Sequence, residues 1–542
     1  MKKIISLALA CIMVLSLAAC SAEKVNSADP KSRANNETAE ILTIAISKDE
    51  NSLSPFTYLS STGLIVNRLV YDTLFTTDLD NEIIPWMVED DYRVENDFST
   101  YTFTLLKGQK FHDGTVVTSE DVVFSFTYPG TQKSSSLRKI CNKIKDIKAV
   151  DERTVTINLK SSDINFLRSG LSAMRIISKN QYENAADATL ISETIGSGMY
   201  KLSEYKVGEY YKLEAVADYF RGTPKVKAIN MPIIGDNTAI QQGLLSGQLA
   251  AATSNIGVEM VETFNKAQGI EVFSSAGFAP LIMNINNSRA PMDAKEFRTA
   301  LTYAIDVNGI MKTLYGEYAT VGTKGLIRPD LPYSVTGLEY SYSPGKANEI
   351  LDGAGFDKKN ANGIRLTPDG QACSFEILVY SGNTTRIRTA EMIAEQLKAV
   401  GIEMKIKVME MDTVDAFVWP DFDVTKGRDY DFAMWGWGTS IGTNLDFLVS
   451  LFSGDLGIGT SNVCGYTNSE FDQIIASEFS TAKTTEELYS ALRKLQNVIA
   501  EDPGMVNFGY DDGLQACNTT QYSGWKAGKG TNVINIHSFL GK

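Results

Sequence analysis

The sequence predicts an α/β protein of several domains, and three observations carry that expectation. The chain has 542 residues, and cutting before Cys20 leaves 542 − 19 = 523, more than one apolar core organises. Its composition is that of a folded globular protein, 43% hydrophobic and 21% charged. Strand-like and helix-like patterns alternate through residues 226–249 and 373–409, which suggests lobes built on parallel sheets. Within them, AEMIAEQLKAVGIEMKIKVMEM (Ala390–Met411) reads as a helix, a glycine stop at Gly401 and a strand.

Met1–Cys20 has the order of an export signal. Lys2 and Lys3 come first, then the apolar run Ile4–Leu17, then Leu17-Ala18-Ala19-Cys20. The run is shorter than the roughly 20 apolar residues of a membrane span. The last four residues resemble the lipobox of bacterial lipoproteins, which implies cleavage before Cys20 and a diacylglycerol on its thiol. Each buried lipid methylene adds about 0.8 kcal/mol of membrane affinity. Residues 21–39 are polar and aperiodic, too poor in apolar groups to fold, and read as a tether.

Order begins with the alternating run Ile41–Ile46, a strand. The turn-rich Asn51–Phe56 follows, then Ser61–Phe75, whose Leu64, Ile65, Leu69, Val70 and Leu74 recur at helical spacing. Tyr101–Leu105 alternates as a strand, and Asp113-Gly114 is a turn. Thr118-Ser-Glu-Asp121 has the form of a helix start, a hydroxyl cap followed by acids that complement the helix dipole. Thr154–Leu159 is a further strand, and Glu486–Ala500 an amphipathic helix stopped by Asp502-Pro503-Gly504.

The formal net charge is −14, and −16 once Lys2 and Lys3 leave. Phosphates are repelled by such a surface, so no nucleic-acid partner is expected. Cys141, Cys373, Cys464 and Cys517 remain after the leader and Cys20; no CxxC occurs, and the three possible pairings stay open. The two histidines, His112 and His537, are far apart. His112-Asp113 lacks any nucleophile motif beside it and is expected to be a structural hydrogen bonder. No metal and no cofactor is expected.

KGQKFHDGTVVTSEDVVFSF (Lys107–Phe126) resembles the signature of the large extracytoplasmic solute-binding proteins of ABC importers, the oligopeptide/dipeptide/nickel-binding family, family 5. Six further segments resemble that family in the same order: Asn67–Phe75, Thr194–Tyr205, Asp218–Ile229, Glu296–Ile310, Ser343–Phe356 and Gly465–Ile475. The resemblance covers nearly all of the mature chain. It implies a two-lobed, hinged periplasmic-binding-protein-like fold (type II, cluster C) with an extra inserted domain. Lobe I is expected from 40–67, 190–277 and 505–542, the inserted domain from 68–189 and lobe II from 278–504. Hinge segments are expected near Ser275–Asn284 and Pro503–Tyr510.

Asp429–Phe447 is the most telling internal stretch. Asp431–Trp435 reads as a strand entering the cleft, and Trp435-Gly436-Trp437-Gly438 sets flat side chains beside bare backbone, which suits stacking and main-chain hydrogen bonds. Core packing of both indoles is the competing expectation. Peptide binders of the family carry Trp-x-x-Asp here, and the Asp takes the ligand's ammonium. This chain has Trp437-Gly438-Thr439-Ser440, with serine at that place. A carboxylate-binding arginine of dipeptide binders falls near Tyr380, with Arg386 and Arg388 close by. Tyr58, Ser61 and Thr62 lie in a family segment that pairs with peptide backbone, and Phe278 sits at the expected hinge.

The sequence thus leads to a lipid-anchored, monomeric binding subunit outside the cytoplasm. It captures a peptide or peptide-like solute between two lobes and delivers it to membrane permease subunits, with no covalent chemistry. A neutral oligosaccharide ligand and a peptide-pheromone receptor are the alternatives. An exported hydrolase is disfavoured because no serine–histidine–aspartate grouping emerges from the spacing.

Overall fold

The computed structural model describes residues 36–56, 60–131, 137–420, 423–426, 428–437, 445–454 and 461–541. Cys20, Tyr58, Gly438, Thr439 and Ser440 lie outside the described residues. No helix among the described residues is long and apolar enough to cross a membrane.

Two principal sheets organise the chain. The first has five strands in the order Ala251–Ala252, Ala39–Ala45, Val226–Pro232, Tyr210–Ala215, Tyr200–Lys206. Its first three strands run parallel and its last two antiparallel. The second has six, in the order Ala319–Val321, Met505–Asp511, Pro280–Ile285, Phe432–Met434, Ser374–Tyr380, Glu403–Met409. Here Ser374–Tyr380 pairs in parallel with both neighbours, while Pro280–Ile285 is antiparallel to both of its own. Both sheets are therefore mixed rather than parallel. A helix crossover yields parallel pairs, and strands that return directly or from far along the chain add the antiparallel ones.

Each sheet has its own apolar core. Leu42, Ile44, Tyr200 and Ile229 of the first join Phe75, Trp86, Tyr101 and Phe103 of the inserted region in one buried cluster. The inserted region carries a four-stranded antiparallel sheet, Arg93–Glu95, Thr100–Thr104, Thr154–Leu159 and Ile144–Ala149. It shares the first lobe's core instead of closing a separate one. The second sheet is covered by two clusters, one around Phe297, Leu301 and Phe508 and one around Trp435, Phe452 and Leu492.

Local signals explain most boundaries. Thr118 and Asp121 form a capping box at the start of the helix Ser119–Thr127, and Thr484 and Glu487 form another before Thr485–Glu501. The helix Ser61–Val70 stops five residues earlier than its periodicity predicts. The Val70 carbonyl accepts from the Gly198 N–H at 2.9 Å, and a Cβ at Gly196 or Gly198 would overlap the backbone there. The returning chain takes the place of the next helical turn. The helix Thr384–Ala399 begins six residues before Ala390 because Asn383 caps it, accepting from the Arg386 N–H at 2.9 Å. Gly401 follows it with φ +82°.

His112 serves this architecture. Its Nε2–H donates to the Gly198 carbonyl at 2.9 Å, and its Nδ1 accepts from the Gly196 N–H at 3.2 Å. Burial lowers its pKa from 6.5 to about 4. A histidine kept neutral in the fold binds its proton more readily once unfolded. Its contribution is therefore intact above the unfolded pKa and is lost as pH falls from there towards the folded value. The expected loss is up to roughly 3 kcal/mol at about 1.4 kcal/mol per pKa unit. Urea unfolding at pH 7.5 and 4.5 measures it: His112→Gln should show a visibly shallower acid loss than wild type, and equal slopes would remove His112 from the pH response.

All four remaining cysteines are free thiols in the structure. Burial pushes Cys373 up to about 11 and Cys464 up to about 12, so both stay protonated and unreactive at neutral pH.

Candidate functional site

The two sheets are joined where the chain crosses between them. One crossing leads from Ile270–Ser275 to Pro280–Ile285, the other from Met505–Asp511 to Gly513–Asn518. Strand Ile270–Ser275 pairs with Gly513–Asn518 on the first-lobe side, and Met505–Asp511 pairs with Pro280–Ile285 and Ala319–Val321 in the second sheet. Residues 505–511, expected in lobe I, thus belong to the second sheet. Their alternation does not distinguish the two, because Met505 to Tyr510 are all buried, and only the hydrogen-bond ladder assigns them.

A cavity of about 490 Å³ opens beside this crossing, within the size range of small-ligand sites. The first lobe supplies Asn237, Gln241, Ser254 and Asn255; the second supplies Pro280, Tyr315, Thr385, Arg386 and Trp437; Asp511 and Asp512 come from the crossing itself. The lining is polar, with both signs of charge.

Trp437 is the member of the predicted aromatic pair that reaches the cavity. It stands edge-to-face with Trp435 (4.6 Å between centroids) and Trp419 (4.8 Å). Trp435 is 5% exposed, and its indole N–H donates to Asp415 Oδ1 at 2.7 Å. It forms the floor behind Trp437 and does not line the cavity. Gly436 leaves room for the Arg386 guanidinium, since a Cβ there would sit 3.3 Å from Arg386 Nη2.

The other predicted residues lie elsewhere. Phe278 is 2% exposed under the Arg328 guanidinium, 5.6 Å above its ring, and against Gly530, so packing fully occupies it. Thr62 is absent from the cavity wall; its hydroxyl lies 2.9 Å from that of Ser60, which caps the helix Ser61–Val70 by accepting from the Gly63 N–H at 3.2 Å. Ser61 opens that helix. The sequence reading missed the first-lobe wall and Asp511. Asn237, Gln241 and Asn255 carry no motif, while the acidic doublet Asp511-Asp512, next to the expected hinge, was the available signal.

Arg386 sits in the first turn of the helix Thr384–Ala399. Its closest side-chain hydrogen bond is a long one, Nη1 to the Met434 carbonyl at 3.5 Å. Burial lowers its pKa from 12.5, with Tyr315 and Asp511 opposing that through space. Asp511 ends the strand Met505–Asp511, and burial raises its carboxyl above the usual range, partly offset by its own backbone N–H and by Arg386. Asp512 is already engaged, accepting from Ser274 Oγ at 2.8 Å.

Comparison with known proteins places this geometry in a family. The sequence model of the bacterial extracellular solute-binding proteins, family 5, matches residues 82–457. The chain is 27% identical over 504 residues to the oligopeptide-binding protein AppA of Bacillus subtilis, spanning 91% of this chain and 90% of that one. It is 26% identical over 497 residues to heme-binding protein A of Haemophilus influenzae, spanning 85% and 86%. Among solved structures it is similar to the ABC transporter substrate-binding protein CtaP of Listeria monocytogenes, with a TM-score of 0.78, 25% identity and coverage of 89% and 95%. With a family model covering most of its length and two lobes meeting at a polar crevice, the chain belongs to the bacterial extracellular solute-binding proteins, family 5.

Proposed function

We propose that this solute-binding protein is the lipid-anchored capture subunit of an ABC importer, holding a peptide or peptide-like solute between its lobes and delivering it to membrane permease subunits. The observation that carries the reading is the cavity of about 490 Å³ at the strand crossing, walled by both lobes and reached by Trp437, which stands edge-to-face on Trp435. A solute touching both walls favours the closed arrangement and so shifts the lobe equilibrium towards it. Trp437 supplies flat apolar area, and the polar first-lobe wall supplies hydrogen-bond partners for amide groups. The oligopeptide-binding relative AppA supports the ligand class. Cys20 supplies the anchor in this reading, which holds the protein at the outer membrane face.

Thermal-shift screening against peptides and oligosaccharides tests the ligand class, because a solute that binds only the native state raises the melting temperature. A peptide hit is expected, and a response to sugars alone would replace the reading. Trp437→Ala is expected to weaken that hit by at least tenfold, since aromatic anchors dominate such sites. Full affinity in the variant would move the ligand away from this cavity. Cys20→Ala is expected to release the protein from membranes into the medium, as read by fractionation; retention on the membrane would refute the anchor.

A further inference from the structure

We infer that the inserted region is a second jaw of the clamp: its Asp97 and Ile164 grip the second lobe when the lobes close, so that residues outside the cavity wall help to set solute affinity. The inference rests on the proposed capture by lobe closure and adds a contact that regulates it.

The inserted region rides with the first lobe, because its Phe75, Trp86, Tyr101 and Phe103 share one buried cluster with Leu42, Ile44 and Tyr200. It nevertheless touches the second lobe. Lys483 Nζ donates to Asp97 Oδ2 at 2.8 Å. Ile164 packs on the second-lobe cluster that contains Tyr333 and Leu488 and that Tyr489 also covers. Arg168 lies near enough to Tyr333 and Tyr489 to act on both through space, and Glu82 acts on Tyr489. A contact between two bodies joined by a hinge breaks or slides when the hinge opens. Closing restores it, and its free energy then adds to what the solute contributes.

The tip that carries Asp97 is held out for this contact. Asn96, Asp97 and Phe98, between the strands Arg93–Glu95 and Thr100–Thr104, have φ of 52°, 53° and 60°. Residues with a Cβ rarely adopt this left-handed conformation in succession, and it persists only where the surroundings enforce it. The Asn96 carbonyl accepts from the Ser99 N–H at 3.2 Å and from Ser99 Oγ at 2.7 Å, and Asn96 Nδ2 donates to Thr100 Oγ1 at 3.0 Å. The Phe98 carbonyl accepts from the Asp163 N–H at 3.1 Å. That bond ties the tip to the segment bearing Ile164, so the two contacts move together. On the other side, Lys483 immediately precedes the capping box of the 17-residue helix Thr485–Glu501, which is about 25 Å long at about 1.5 Å per residue. The helix leads into the crossing strand Met505–Asp511. A pull at Lys483 thus reaches the hinge through one rigid element. Asp97, Ile164 and Lys483 do not line the cavity, so they act as positioning residues.

Carbodiimide coupling of the purified protein tests the contact with its native groups, read by mass spectrometry of the Lys483–Asp97 crosslink. Lys110 and Asp218, also 2.8 Å apart, supply the control, since both ride with the first lobe. A tryptic digest of casein is the peptide probe. The crosslink ratio of Lys483–Asp97 to Lys110–Asp218 is expected to be low without the digest and to rise at least threefold with it. Asp97→Lys and Lys483→Asp should each raise the half-effect concentration of the digest in thermal shift by about threefold, the scale of one exposed ion pair. The double swap should return it to within a factor of two of wild type. Ile164→Asp should raise it at least tenfold, and the swap decides the matter if that variant does not fold. No Lys483–Asp97 crosslink, a ratio equal to the control without the digest, or a double swap as weak as the single variants would overturn the second jaw and leave peptide capture standing. A digest that shifts no melting temperature would overturn the peptide reading instead, and the ratio without digest would still decide this inference: below the control it supports a moving contact, equal to it a static one.

Discussion

Arg298→Ala should destabilise the second lobe by about 3–5 kcal/mol, the range for breaking a buried, hydrogen-bonded charge pair from one side. The side chain is 6% exposed and its partner Asp502 16%. Nε donates to the Pro503 carbonyl at 2.9 Å; Nη1 donates to the Met292 and Asp293 carbonyls at 2.7 and 2.9 Å; Nη2 donates to Asp502. One planar fork thus ties the helix Lys295–Ala304 to the end of the helix Thr485–Glu501, just before the crossing strand starts. Alanine leaves a half-paired carboxylate and three carbonyls without that donor. Arg298→Lys should recover only part of the loss, because an ammonium cannot reproduce the fork. Denaturant unfolding measures it, and a change below about 0.5 kcal/mol, the size of an ordinary surface substitution, would show that the network carries no weight.

Gly277→Ala should cost about 3 kcal/mol or more, through overpacking against backbone that cannot yield by changing a rotamer. A Cβ at this position would overlap the carbonyl oxygen of Asp511 on the other crossing segment. The two segments can run this close only because one has no side chain. The Gly277 carbonyl is itself occupied, accepting from Arg328 Nη1 at 2.6 Å. Any relief must therefore spread the crossing, and that alters the relation of the two lobes as well as stability. Unfolding midpoints and small-angle scattering of the ligand-free protein read the two effects. Wild-type values in both would mean that the segments are not packed as described.

Much of the local structure was readable from residues. The strand Thr154–Leu159 matches its expected bounds, and the start signal at Thr118 is a capping box, since alternation and cap chemistry are short-range effects. Boundaries set by distant partners were not readable. The helix Ser61–Val70 ends where Gly198, far along the chain, takes the Val70 carbonyl, and nothing near Val70 announces it.

The candidate site divides the same way. The Trp-Gly-Trp pattern marked an aromatic site, yet its two indoles have different environments: Trp437 faces the cavity, and Trp435 is sealed behind it with its N–H on Asp415. Asp511 and Arg386, more than a hundred positions apart, line one cavity only because the crossing strand ends beside a capped helix.

By itself the sequence determined the fold class and the family, because both are written in short runs of residues. The tertiary structure alone decided which lobe owns the strand Met505–Asp511, which tryptophan reaches solvent, and which charges face the cavity. Those are properties of pairing and burial, and they exist only once segments distant in the chain share a sheet.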